Sequence, residues 1–155
     1  MPPLVAACFD FRGVIVNHEN DRGLIPGIEN LLRDLKARGT SLVVISSFGP
    51  EFVRARLGQL GALFDGRIYC ASEEGKLQVI LQHARGCDIA DLSQVAFIDD
   101  KPENLLPAAK SAVKVIGYLG SGKYKANAPS ACQANGIPFA STIAELRLLL
   151  GLSPK

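Results

Sequence analysis

Four places in this sequence hold residue types that do chemistry together. Asp10 follows the apolar run LVAACF, Ser46 and Ser47 follow LVVI, Lys76 opens the stretch KLQVILQ, and Asp99 with Asp100 follow VAFI. Paired carboxylates hold a hard cation such as Mg2+, which keeps part of its water shell and bridges to phosphate oxygens. Hydroxyl, ammonium and backbone N–H groups neutralise the remaining charge on a transferring phosphoryl group. The set is what a magnesium-assisted phosphoryl site requires. Asp10 has a further use: a carboxylate in line with phosphorus can attack it, dividing hydrolysis into formation and breakdown of an aspartyl-phosphate.

The elements that must position these groups follow from apolar periodicity. Short apolar or β-branched runs at 4–9, 41–46, 67–70, 95–99 and 113–118 read as buried strands. Between them, IENLLRDLKARG places Ile28, Leu31, Leu32 and Leu35 on one helical face and ends at Gly39. EFVRARLGQLG, KLQVILQHARG, NLLPAAKSA and TIAELRLLLG read as further helices, with Pro107 near a helix start or at a kink. Strands alternating with helices predict an α/β fold: a Rossmann-like three-layer sandwich around a mostly parallel central sheet. Such sheets bind ligands beyond the carboxyl ends of their strands, where strand order reverses. The reactive residues above fall at those ends.

Composition narrows the function classes. With 155 residues, 48% of them hydrophobic, the chain suffices for one folded domain over 1–155, and no linker or repeat divides it. Seventeen basic against fifteen acidic residues give a net charge of +2, which leaves a nucleic-acid partner unsupported. Cys8, Cys70, Cys87 and Cys132 form no CxxC pair, so they read as reduced structural thiols. The first apolar run has no basic region before it and is interrupted by Asp10, arguing against a signal peptide or membrane span and for a cytoplasmic protein.

The quoted stretches also carry a family resemblance. FDFRGVIV resembles the first motif of the haloacid dehalogenase superfamily, usually DxDG[TV]; VVISS resembles the second, Lys76 in EEGKLQ the third, and FIDDKPENL the fourth in its DDxxxN form. They occur in the family's order along nearly the whole chain. The resemblance implies a phosphoryl hydrolase or transferase that uses Mg2+. Asp10 would be nucleophile and metal ligand, and the backbone carbonyl of Arg12 a second ligand. Ser46 would bind the phosphoryl group with help from Ser47, and Lys76 would tie that group to Asp10. Asp100 would be the better metal ligand of the fourth motif, with Asn104 meeting the same site one helical turn on and Asp99 in direct or indirect contact with the metal. Taken singly, each residue has a plainer reading: Asp10 as a turn residue, Ser46 or Ser47 as a helix cap before FGPEF, Lys76 and Asn104 as solvated helix positions.

Two features depart from the family pattern. The interval between Asp10 and Ser46, and that between Lys76 and Asp99, are too short for an inserted cap domain. Capless members act on macromolecules whose bulk covers the site, or form homo-oligomers in which a neighbour covers it. The second departure is Arg12, which stands where the family's phosphatases place the aspartate that protonates the leaving oxygen and later deprotonates water. Arginine cannot exchange a proton near neutral pH. It could pair with Asp10, grip a substrate phosphate or carboxylate in two-pronged fashion, or turn outward and offer only its carbonyl. A weakened phosphatase, a catalytically inactive module that binds phosphate or protein, and an enzyme attacking carbon are the resulting alternatives; the retained carboxylates argue against the last.

Three other places read as decoys. GYLGSGK, residues 117–123, has the spacing of a phosphate-cradling P-loop, but Tyr124 replaces the needed Ser or Thr and YKANAPS is a poor helix start. The stretch is expected to be a mobile loop in which Lys123 and Lys125 are solvated, with contact to an anionic substrate as the alternative. His18 falls in the loop after the first strand, where a catalytic role is open but not favoured, and His83 in a polar part of a helix, where it is expected to be solvated.

Overall fold

The computed structural model describes residues 3–19 and 23–154. Six strands, β1 (Ala6–Asp10), β2 (Ser41–Ser46), β3 (Ile68–Cys70), β4 (Val95–Asp99), β5 (Lys114–Tyr118) and β6 (Phe139–Ala140), form one sheet in the order β3-β2-β1-β4-β5-β6. Every adjacent pair is parallel, with Ala6 opposite Ser41 on one side of β1 and opposite Val95 on the other. The chain leaves β1 toward one edge of the sheet and returns to the other side of β1 at β4. The strand order therefore reverses between β1 and β4, which opens a crevice at their carboxyl ends.

Helices α1 (Ile28–Ala37), α2 (Pro50–Leu57), α3 (Lys76–Gly86), α4 (Pro102–Ala109), α5 (Ala128–Ala134) and α6 (Ile143–Leu149) complete the fold. Alternate residues of the strands enter two separate apolar clusters. Ala7, Phe9, Leu42 and Val44 pack with Leu31, Leu32, Leu35 and Leu146 from α1 and α6. Ala6, Cys8, Val43 and Ile45 pack with Ile80, Ala84, Leu105 and Ala108 from α3 and α4. Both faces are covered, as a parallel sheet requires, so the central strands read as unbroken apolar runs. Each fully buried aliphatic side chain contributes roughly 1.5–3 kcal/mol, and α1 alone buries Ile28, Leu31, Leu32 and Leu35. Gly39 follows this helix in the left-handed region, φ 87°, where a side chain would be strained.

Some elements differ from the sequence expectation. β6 and α5 have two and seven residues, too short to announce themselves by periodicity. The helix expected through EFVRARLGQLG stops at Leu57, and a tighter 3₁₀ segment runs on over Gly58–Phe64. Pro107 lies inside α4, one turn after Pro102 starts it. His83 is buried, 8% exposed, because Ile80, His83 and Ala84 share the inward face of α3. It meets the Tyr69 hydroxyl at 3.3 Å and Cys87 Sγ at 3.7 Å. Among the described residues no helix is long and apolar enough to cross a membrane.

Candidate active site

The floor of the crevice is built from the last residues of β1 and β4 and the first residue of α3. Asp10, the carboxyl-terminal residue of β1, is 8% exposed, and Lys76 is 3% exposed. Lys76 Nζ donates to Asp10 Oδ1 at 2.8 Å and to Asp99 Oδ2 at 3.2 Å. An ammonium is buried at this cost only when carboxylates and their hydrogen bonds compensate it. Asp99 is fully buried and has both oxygens engaged. Oδ1 accepts the backbone N–H groups of Asp100 and Lys101 at 2.8 and 3.0 Å, and Oδ2 accepts from Asn104 Nδ2 at 3.1 Å beside Lys76. Asp99 thus fastens the turn from β4 into α4 and holds Lys76 and Asn104 in place.

Asp100 turns the other way, into the crevice. Its Oδ2 lies 2.5 Å from His18 Nε2 and 3.5 Å from Ser121 Oγ. The approach needs the glycine at position 13. Gly13 has φ 93°, and a Cβ there would collide with both the Asp100 carboxylate and the His18 ring. Tyr124 packs its ring edge-on to His18, with centroids 6.2 Å apart.

Asp10, Asp99 and Asp100 each offer a carboxylate oxygen within 4.8 Å of the others. Burial first, and then the neighbouring Asp99 carboxylate, push Asp100 up to about 7. The same two causes hold Asp10 well above the usual carboxylate range, against the pull of Lys76. Buried acids this close are matched to a cation, and an all-oxygen donor set suits a hard divalent one. Since Asp99 already has four hydrogen-bond donors, Asp10 and Asp100 are the carboxylates placed to hold it.

Opposite these acids, β2 ends at Ser46, 2% exposed, whose Oγ accepts the Phe48 N–H at 3.0 Å. This bond shapes the turn after β2 and is not a helix cap, since α2 starts later, at Pro50 after Gly49. Ser47 is exposed at the same turn. Arg12 does not turn away: its Cζ sits 4.6 Å from the centre of the Phe48 ring, and it lines the crevice.

Asp10, Arg12, Ser46, Ser47, Lys76, Asp100 and Asn104, seven of the eight residues singled out from the sequence, line one cleft of about 160 Å³; Asp99 lies beneath its wall. Five residues join them that the sequence reading left out or set aside: His18, Phe48, Lys101, Lys123 and Tyr124. His18 lies in the loop that leaves the strand of Asp10, which was the available signal. For Tyr124 and Phe48 no local pattern existed.

No family model and no curated protein matches the chain. Solved structures do. A cobalt-bound deoxy-D-mannose-octulosonate 8-phosphate phosphatase from Haemophilus influenzae superposes with a TM-score of 0.70 at 17% identity, covering 96% of this chain and 88% of its own. The 3-deoxy-D-manno-octulosonate 8-phosphate phosphatase of Moraxella catarrhalis, in complex with magnesium, phosphate and its sugar acid, gives 0.57 at 22% identity over 74% and 67%. A predicted phosphatase from Clostridium acetobutylicum gives 0.64 at 27% identity; the match covers 84% of this chain and 61% of that one. In strand order and in the gathering of the four motifs at one end of the sheet, the chain shares the fold of these phosphatases.

Proposed function

We propose that the protein is a magnesium-dependent phosphomonoester hydrolase that works through an aspartyl-phosphate on Asp10. The observation that carries this reading is the Asp10 carboxylate at the floor of the cleft, with one oxygen held by Lys76 and with Asp100 beside it. The similar structures, phosphatases holding cobalt in one case and magnesium with phosphate in another, support the reaction class and the metal.

Asp10 and Asp100, with the backbone carbonyl of Arg12, would hold the magnesium ion. When bound, the ion supplies charge neutralisation for the phosphoryl oxygens and the attacking carboxylate. Asp10 forms an oxygen–phosphorus bond as the bond to the leaving oxygen breaks, and water then displaces Asp10 and releases inorganic phosphate. Ser46, the turn at Ser47, and Lys76 receive the phosphoryl oxygens, with Asn104 at the same wall. Lys76 also aims Asp10 and works against the burial that raises its proton affinity. No carboxylate stands two places after the nucleophile, so the leaving oxygen departs without the proton relay that such a group supplies. Turnover is therefore fastest for esters with good leaving groups.

A cleft of this size holds a phosphoryl group and little else, and the described residues between Asp10 and Ser46 contain a single helix, α1. In this reading the bulk of a macromolecular substrate, or a second copy of the chain, covers the site. Sedimentation of the active species separates the two. A monomer that turns over small esters efficiently contradicts both.

The direct test is phosphate release from an aryl phosphate across a magnesium titration, beside trapping with beryllofluoride, which mimics a phosphoryl group on aspartate. Magnesium-dependent release and trapping that both vanish in Asp10→Asn are expected. Neither release nor trapping by the intact protein would overturn the reading.

A further inference from the structure

We infer that Cys87 is a nucleophilic thiol, served by His83 and Tyr69 beside a cavity separate from the catalytic cleft, and that it reacts with small disulfides to form mixed disulfides. Helix α3 brings the first two residues together. Cys87 caps its carboxyl end and lies four residues after His83, so both fall on one helical face. His83 Nε2 is 3.7 Å from Cys87 Sγ, within reach of the thiol proton, and His83 Nδ1 is 3.3 Å from the hydroxyl of Tyr69 on β3. A nucleophile, a base and a third group that orients the base are the parts of an activated side chain.

Proton positions decide how the group works. With its proton on Nδ1, His83 donates to the Tyr69 oxygen and leaves Nε2 to accept from the thiol. Burial, and then the Arg67 cation, hold His83 below the ordinary histidine range, so the ring is neutral at rest and can act as a base. The dipole of α3 places partial negative charge near Cys87 and opposes a thiolate, which leaves the imidazole as the group that makes one. In the reaction the Cys87 sulfur attacks one sulfur of the disulfide, a new S–S bond forms as the old one breaks, and the proton held by His83 passes to the departing thiolate. Cys87 is oxidised, and half of the disulfide is reduced and released as a thiol.

The other three cysteines are placed differently. Cys8 and Cys132 are buried in the second apolar cluster, where burial pushes Cys8 up to about 12 and raises Cys132 as well. Cys70 is exposed like Cys87 and lines the same cavity, but its Sγ donates to the Ser47 carbonyl at 3.7 Å, and a carbonyl oxygen is no base. The cavity, of about 600 Å³, is large enough for a peptide-sized thiol fragment; Ile68, Tyr69 and Val79 give it apolar lining, and it shares no described residue with the catalytic cleft. Two thiols on one cavity, one beside an imidazole and one beside a carbonyl, form an internal comparison.

Timed exposure of the intact protein to oxidised glutathione, followed by mass spectrometry of tryptic peptides, measures each thiol separately. Cys87 should form the mixed disulfide roughly tenfold or more faster than Cys70, while Cys8 and Cys132 stay unmodified. In denaturant the advantage of Cys87 should vanish. His83→Leu should bring the Cys87 rate down to that of Cys70, and Tyr69→Phe should lower it by a smaller factor. Modification of Cys8 or Cys132 in His83→Leu would show that this variant is unfolded, and Tyr69→Phe then decides. Equal rates at Cys70 and Cys87 in the intact protein, an advantage that persists in denaturant, or a Cys87 rate unchanged in a folded variant would overturn the inference.

Discussion

The floor and the rim of the cleft are built on different principles. Asp10, Lys76, Asp99 and Asn104 are all buried, and each is tied to another member of the group by a hydrogen bond of 3.2 Å or less. They sit at the ends of paired strands or in the first turns of helices, so sheet register fixes their spacing. Arg12, His18, Lys123 and Tyr124 belong to loops and are partly or fully exposed, and their described contacts include ring packing and the approach of His18 to Asp100. The floor can therefore change little without losing chemistry, while the rim can be rewritten at small cost to stability. On the proposed reading, the reaction belongs to the floor and the choice of substrate to the rim.

The sharpest break of this division is at the floor. Asp10→Asn should lower magnesium-dependent phosphate release by on the order of 10⁴-fold or more while circular dichroism stays native, because the nucleophile itself is gone. A residual rate near that of the intact protein would remove Asp10 from the mechanism.

Next comes the one rim residue that borders on the chemistry. Arg12→Asp restores a carboxylate two places after the nucleophile, and hydrolysis of an alkyl phosphate should rise by roughly 10²-fold, more than that of an aryl phosphate. No gain on any ester, with folding and magnesium binding intact, would show that Arg12 is not what limits turnover.

His18 joins floor to rim through Asp100. His18→Ala should weaken magnesium binding by roughly tenfold, read from the magnesium-dependent rise in melting temperature, because an unrestrained carboxylate is a poorer ligand. His18→Gln keeps an N–H donor of similar reach and should recover most of the shift. Equal losses in both variants would assign His18 a role beyond holding Asp100.

The smallest effect concerns pH. Without metal, the folded protein keeps protons on Asp10 and Asp100 that the unfolded chain releases near pH 4, since their folded values are raised, to about 7 for Asp100. Stability in chelator should therefore fall as pH rises from about 4 to about 7 and level off above. Magnesium should stabilise more at pH 8 than at pH 5. Thermal melts in both conditions check this, and a magnesium effect independent of pH would contradict it.

Legibility in the sequence followed the same division. β1, β2, β4 and β5 are continuous apolar runs, and the reactive residues after them were readable because a parallel sheet places its ligands there. β6 and α5 were too short to carry a period, and α5 starts within a stretch that reads as a poor helix former. His83 was misread through its polar neighbours Gln82 and Arg85, although Ile80, His83, Ala84 and Cys87 keep the spacing of one helical face. At the site, chemistry-bearing residues at strand ends were visible one by one. The partners of Arg12 and His18 were not, since Phe48 and Tyr124 reach them only through the folded chain.

The strand order β3-β2-β1-β4-β5-β6 sets a timetable for assembly. Lys76 follows Asp10 by 66 residues, and 82 residues separate His18 from Asp100. Contacts this distant along the chain close late and slowly. Until β4 enters beside β1, the Asp10 carboxylate has no neighbouring acid to repel it and remains hydrated, so a half-made chain can hold β1 and β2 together without sequestering uncompensated charge. Docking of β4 brings the three acids together; on the proposed magnesium reading, free divalent ion should ease the insertion of that strand.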